Sequence, residues 1–281
     1  DSTIALDALI KKAKKYKISA LAITDFLNTF NAIKFYQVCI KNKIKPIIGC
    51  QIPLSNFEYN NQQPFITMLC KNQEGYRNLI RLISDIHINK LGGKLPSISI
   101  DDIKKYNQGL IVCTGGYNGI IGKNLIYENY ERISKNLKSL NEIFKNNLYI
   151  EIQKTKHVSE ESINNKILKI AQEIKIPIIA TNNVLFINKD DFESHEVKVC
   201  INKKIKLDDR IEQTEYTENQ YFKTPDEMRD IFKDLPDSIL NVSEIIKRCN
   251  LKLTLDTYHM PEFDAPAGIA VDQHFESIVR K

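Results

Sequence analysis

The sequence predicts an α/β fold with a parallel sheet, either a barrel or a doubly wound sheet. Three observations carry this. Short apolar runs recur at Ala20–Ile23, Lys45–Ile48 and Ile176–Ala180, and strands buried on both faces read this way. Segments with helical apolar spacing precede them, so helix and strand alternate along the chain. The runs end in polar residues, at Thr24-Asp25, Gly49-Cys50-Gln51 and Thr181-Asn182-Asn183. In barrels those C-terminal strand ends carry the active site.

Each element follows in order. Ile4, Leu6, Leu9, Ile10 and Ala13 have helical spacing, with Lys11, Lys12, Lys14 and Lys15 on the outer face. A helix from about Phe30 to Lys41 leads to the Lys45 strand. Phe65–Leu69, Gly109–Thr114 and Leu148–Gln153 read as further strands of the same parallel kind. A helix from Glu160 to Glu173 leads to the Ile176 strand. Gly115-Gly116, with Gly119 and Gly122, reads as a turn into a helix; it lacks the Lys-Ser/Thr of a phosphate-binding loop. No GxGxxG follows a strand, so a dinucleotide fold has no support.

After Ile187 the character changes. His195-Glu196 lies in a helix, and Lys203–Glu218 is a charged, exposed connection. Thr224-Pro225-Asp226-Glu227 places Thr at the N-cap, Pro at N1 and Glu at N3, a capping box. A helix from Pro236 to Cys249 follows, then a loop carrying Pro261 and Pro266, then a helical end from Phe275. A boundary near Asn250 divides a domain at 1–250 from a connector at 251–281.

Composition bounds the class. The 281 residues are 42% hydrophobic and 27% charged, which excludes disorder and a disulfide scaffold and suffices for one large α/β domain. A net charge of +5 permits an anionic partner without demanding one. No apolar run approaches the ~20 residues needed to span a bilayer. The six cysteines are scattered with no CxxC pair, which fits buried thiols in a reduced, cytoplasmic compartment. The chain opens at Asp1 without a methionine and runs at once into a helical pattern, so a preceding segment is expected.

The strand ends carry Asp25, Gln51, Thr114, Glu151 with Gln153, and Asn182 with Asn183. These are mostly amides and hydroxyls, with two carboxylates and no histidine. A hydrolytic metal site wants His and carboxylate ligands, so the mouth is polar but poor in ligands. His195 sits on an amphipathic stretch, where a structural hydrogen bond is expected. His157 reads as part of a solvated loop, and His87, His259 and His274 form no constellation. Asp101-Asp102 and Asp208-Asp209 read as helix-start or exposed acidic pairs.

An ordered set of motifs adds a resemblance. Ala20–Asp25, Lys45–Gly49, Lys71–Leu79, Ala180–Asn182, His195–Val197, Tyr221–Met228, Asn241–Asn250 and Met260–Phe263 together resemble the amino-terminal PHP (polymerase and histidinol phosphatase) domain of bacterial DNA polymerase III alpha subunits. The resemblance implies a distorted seven-stranded TIM-like (β/α) barrel of PHP type, whose first strand would precede Asp1. It implies a cluster of His, Asp and Glu that holds up to three metals. Asp1 matches one such ligand; the other matched positions hold Phe26, Gln51, Phe65, Thr155, Asn183 and Leu185. Asp25, Glu151, Asn182 and His195 are the polar residues nearby.

Phe and Leu cannot coordinate a metal, and Gln and Asn give up the charge that offsets a cation. The site is therefore expected to be silent, with no metal bound by this segment. The polymerase carboxylates and their Mg2+ would lie in the palm, beyond Lys281. The partners implied are a proofreading exonuclease subunit, the remainder of the alpha subunit, and DNA through the parent protein, with no membrane. Weak DNA contacts are expected at Lys11–Lys15 and Lys203–Lys206. The alternative is a free-standing or residual metal-dependent PHP phosphoesterase or exonuclease.

Overall fold

Helices and strands are interleaved as far as β6, with β3 following β2 directly among the described residues: α1 (Leu6–Lys15), β1 (Ala20–Phe26), α2 (Ala32–Lys41), β2 (Lys45–Pro53), β3 (Phe65–Cys70), α3 (Gln73–Ile88), α4 (Ile100–Tyr106), β4 (Leu110–Cys113), α5 (Gly122–Ile126), α6 (Tyr130–Phe144), β5 (Leu148–Gln153), α7 (Glu160–Ile174) and β6 (Ile178–Thr181). Then come α8 (Phe192–Lys203), α9 (Pro225–Ile231) and α10 (Pro236–Arg248). The structure, a computed structural model, describes residues 2–55, 63–88, 95–126, 130–207, 216–255, 257 and 264–280. Asp1, Asp208-Asp209, His259 and the Met260–Phe263 motif lie outside the described residues.

The six strands form one curled sheet in chain order, a half-barrel. The resemblance implied seven strands and a barrel; among the described residues β1 and β6 are the two ends of the sheet. β1 pairs parallel with β2, and β4, β5 and β6 pair parallel in turn. β3 runs antiparallel to both β2 and β4, which corrects the expectation of a wholly parallel sheet. The reason is physical: an apolar run buried on both faces carries no mark of direction. The short return from β2 is held by Leu54 N–H donating to Pro64 O at 2.9 Å. Gly49 permits the tight pairing, since a Cβ there would stand 2.4 Å from Met68 O. β1 also departs from expectation: Ala22 and Phe26 are exposed, because a strand at the end of the sheet is covered less.

Turn chemistry fixes the helix ends. Ser99 and Asp102 form a capping box at α4, and Thr224 and Glu227 form another at α9. The turns into β1, β2, β5 and β6 contain Lys17, Lys43, Lys145 and Lys175, all left-handed with φ of 55°, 59°, 48° and 58°. Glycine or asparagine is the usual choice at such positions.

The last long helix of this unit, α10, packs into the curl of the sheet near the N-terminal ends of the parallel strands. Its Ile245 and the following Cys249 join Ile47, Leu69, Ile111, Tyr149 and Ile179 in one buried cluster. Polar ties hold it there. Asn241 Nδ2 donates to Ile178 O (2.8 Å), Lys45 Nζ to Ile246 O (2.5 Å), and Asn250 N–H to Lys71 O (2.6 Å). All six cysteines are buried and free. Burial pushes three of the thiols up, Cys39 and Cys249 to about 11 and Cys50 to about 12, so none of these three is a poised thiolate.

The chain divides into two compact units, Asp1–Leu251 and Lys252–Lys281. The second contains α11 (Val271–Val279), whose Val271, Phe275, Ile278 and Val279 are exposed. Among the described residues no helix is long and apolar enough to cross a membrane.

Candidate functional site

The reversal of β3 decides which residues meet. Because β3 runs backwards, its first residue lies at the C-terminal ends of β1 and β2. Phe26 pairs in register with Gln51, and Phe65 pairs with Pro53. The rings of Phe26 and Phe65 then meet edge to face, with centroids 6.2 Å apart and planes at 82°, a favoured aromatic geometry. Leu27 follows Phe26 in the left-handed region (φ 58°), and its N–H donates to Gln51 O at 2.9 Å.

Gly115 continues the line across the mouth. A Cβ at this position would come 2.6 Å from Phe65 O and 3.0 Å from the Phe65 ring, so only glycine fits (φ 83°). Its N–H donates to Glu151 Oε2 at 3.1 Å. Glu151 Oε1 accepts from Thr181 Oγ1 (2.6 Å) and from Gln153 Nε2 (3.3 Å), while Glu151 N–H donates to Thr114 Oγ1 (3.0 Å). Burial raises the Glu151 carboxyl above the usual carboxylate range, against the pull of those three donors. The mouth is thus an aromatic pair joined through a glycine turn to a buried, internally satisfied carboxyl.

The remaining predicted residues go elsewhere. Thr155 turns to α7: its hydroxyl donates to Glu160 Oε1 at 2.9 Å and its N–H to Glu160 Oε2 at 2.6 Å. Asn182 Nδ2 donates to Tyr221 O at 2.8 Å, tying the end of β6 to the segment before α9. Leu185 is buried, and its carbonyl accepts from Thr3 N–H at 2.9 Å. Asn183 is half-buried beyond β6. Asp25 pairs in register with Cys50, and its carboxylate makes no hydrogen bond among the described residues.

His195 also departs from expectation. It is 0% exposed, and neither ring nitrogen has a hydrogen-bond partner among the described residues. It packs against the rings of Phe186 (5.5 Å) and Tyr216 (4.9 Å), and burial lowers it to about 4. The amphipathic pattern of α8 placed it inward; pattern cannot say that no acceptor waits there. His157 rests against the Tyr117 ring at 4.4 Å.

Sequence reasoning missed Thr181 as the closest partner of Glu151. It also missed the buried Lys223, which lies 4.3 Å over the Tyr221 ring and is lowered by burial to about 8. The signal for Thr181 was its place at a strand end; Lys223 carried none.

Whether the residues fit a metal follows from this geometry. Among the described residues no group of three or more His, Cys, Asp or Glu is arranged to hold one. Phe26 and Phe65, at positions that the resemblance matches to ligands, offer no donor atom, and the oxygens of Glu151 are taken by protein donors. The described residues do not fit the metal cluster that the fold implies.

The PHP domain family matches residues 1–155. The DNA polymerase III subunit alpha of Pseudomonas fluorescens is 33% identical over 99% of this chain and 24% of its own length. That of Buchnera aphidicola subsp. Schizaphis graminum is 37% identical over 91% of this chain and 22% of its own. That of Escherichia coli K12 is 34% identical over 92% and 22%. The chain thus spans about a quarter of the length of the relatives it matches. With more than half of its residues matched and its six-stranded α/β sheet in place, the chain belongs to the PHP domain family.

Proposed function

We propose that this chain is the PHP portion of a DNA polymerase III alpha subunit, the replicative enzyme that adds nucleotides to a primer. The observation that carries this is kinship with such subunits over nearly the whole chain. Polymerase chemistry needs paired carboxylates holding two Mg2+ ions, and these belong to the palm, outside this segment. Here the mouth is filled by the Phe26–Phe65 pair and Glu151 is satisfied internally. This supports a PHP domain without hydrolysis of its own, kept as a brace for the polymerase core and as a platform for a separate proofreading exonuclease. A cytoplasmic setting accords with six buried, unpaired cysteines.

Two measurements test the reading. Elemental analysis of the purified chain should find no stoichiometric zinc or manganese; two or three ions per chain would restore the phosphoesterase alternative. Titration with the proofreading subunit should give a complex that is lost when this domain is deleted from the alpha subunit. Equal binding without the domain leaves only the bracing role.

A further inference from the structure

We propose a phosphate-binding site at the opposite end of the sheet from the mouth, in the cleft between α10 and the turns that enter β5 and β6. The cleft has a volume of about 520 Å³. Three cations line it, Lys145, Lys175 and Arg248, with the carboxamides of Asn141 and Asn146, and none of its lining residues is a carboxylate. Among the described residues neither lysine makes an ion pair. Three like charges facing one concavity repel one another, and an anion relieves that repulsion.

Arg248 is pre-set for such a ligand. Its Nη1 donates to Asn146 O (2.9 Å) and to the Tyr149 hydroxyl (2.6 Å), and its Nη2 donates to Asn147 Oδ1. Its guanidinium lies 6.0 Å from the centre of the buried Tyr149 ring. A guanidinium has five N–H groups; among the described residues three are used, and two remain for a ligand. A guanidinium held by three hydrogen bonds and flanked by two exposed ammonium groups suits phosphate oxygens.

The surroundings extend the field. The turns and strand ends on this side carry Lys17, Lys43, Lys45 and Lys71 besides Lys145 and Lys175. Segments 16–19, 42–45, 70–73, 106–109, 145–147 and 174–177 contain no Asp or Glu. Left-handed lysines recur in four of these turns, so the backbone conformation alone does not mark a site. What singles out Lys145 and Lys175 is that they converge with Arg248 on one cleft. The phosphate could belong to a nucleic-acid backbone or to a free nucleotide.

The test uses the full 281-residue chain. Labelled single-stranded and duplex DNA are titrated by fluorescence anisotropy at low salt, and inorganic pyrophosphate by calorimetry. The variant K145N/K175N is compared with K17N/K43N. Both remove two charges from left-handed positions that asparagine tolerates, so both should fold, which thermal melting checks. The expected result is at least a ~10-fold loss for K145N/K175N, with the salt slope reduced by about 2, and less than about 3-fold for K17N/K43N. Pyrophosphate binding that competes with DNA assigns the site to free phosphates; cleft-dependent binding of DNA alone assigns it to the backbone. Equal losses in the two variants, or no binding of either probe by the unaltered chain, overturn the proposal.

Discussion

At the upper end of the parallel strands, Phe26, Phe65, Gly115 and Glu151 spend their contacts on one another. At the lower end, Lys17, Lys43, Lys145 and Lys175 stand at tight turns with no carboxylate in the same segments. Both ends use the same scaffold of short strands and covering helices. The upper end is occupied by rings, a glycine turn and a satisfied carboxyl, and so holds its shape by itself. The lower end keeps donors, Lys145 and Lys175, that make no ion pair among the described residues. Where a fold places chemistry and where a given chain keeps its unspent charge can therefore be different places.

The contrast can be broken most sharply at Glu151. Glu151→Ala leaves Gly115 N–H, Thr181 Oγ1 and Gln153 Nε2 without their acceptor in a buried site, and should cost about 3 kcal/mol or more in urea denaturation. A loss under about 1 kcal/mol would mean that the mouth is not self-supporting.

His195 tests the same upper half through pH. Its folded value of about 4 lies below the ordinary 6.5. The unfolded chain takes up the proton below 6.5, but the folded chain only near 4. The neutral ring thus favours the fold fully above pH 6.5, and up to about 3 kcal/mol is lost as pH falls from 6.5 to 4. The difference in stability between the unaltered chain and His195→Leu should carry this slope; parallel pH profiles would refute it.

Smaller effects follow. Phe26 is 44% exposed, so Phe26→Ala should cost only about 1 kcal/mol, most of it from the pair with Phe65. Lys175→Gly should stabilise by about 0.5–1 kcal/mol, because glycine adopts φ 58° without a Cβ penalty. A destabilised Lys175→Gly would show that the lysine stem packs usefully at the lower end.

Much of the fold could be read from periodicity and capping. The Thr224 box, the α7–β6 unit and the β5 strand stand where spacing put them. The direction of β3 could not be read, since Phe65–Cys70 would look alike in either sense. For the same reason the meeting of Phe65 with Phe26 was visible only through the resemblance, not through spacing. The turn of Thr155 toward α7 could not be read either, since it depends on Glu160, five residues on, accepting from its hydroxyl. The lower cleft escaped notice because its three cations come from segments far apart in the chain, and none forms a motif by itself.

The position of α10 has a consequence for how the chain acquires its structure. The cluster around Ile47, Leu69, Ile111, Tyr149 and Ile179 is completed only by Ile245 and Cys249. During synthesis the first five strands are therefore made long before the helix that fills their curl. Until then their apolar inner face stays open to water and to other chains. The unit should gain its cooperative stability late and nearly at once, when α10 emerges, and a chain ending at 155, before β6 and α10, should aggregate rather than fold.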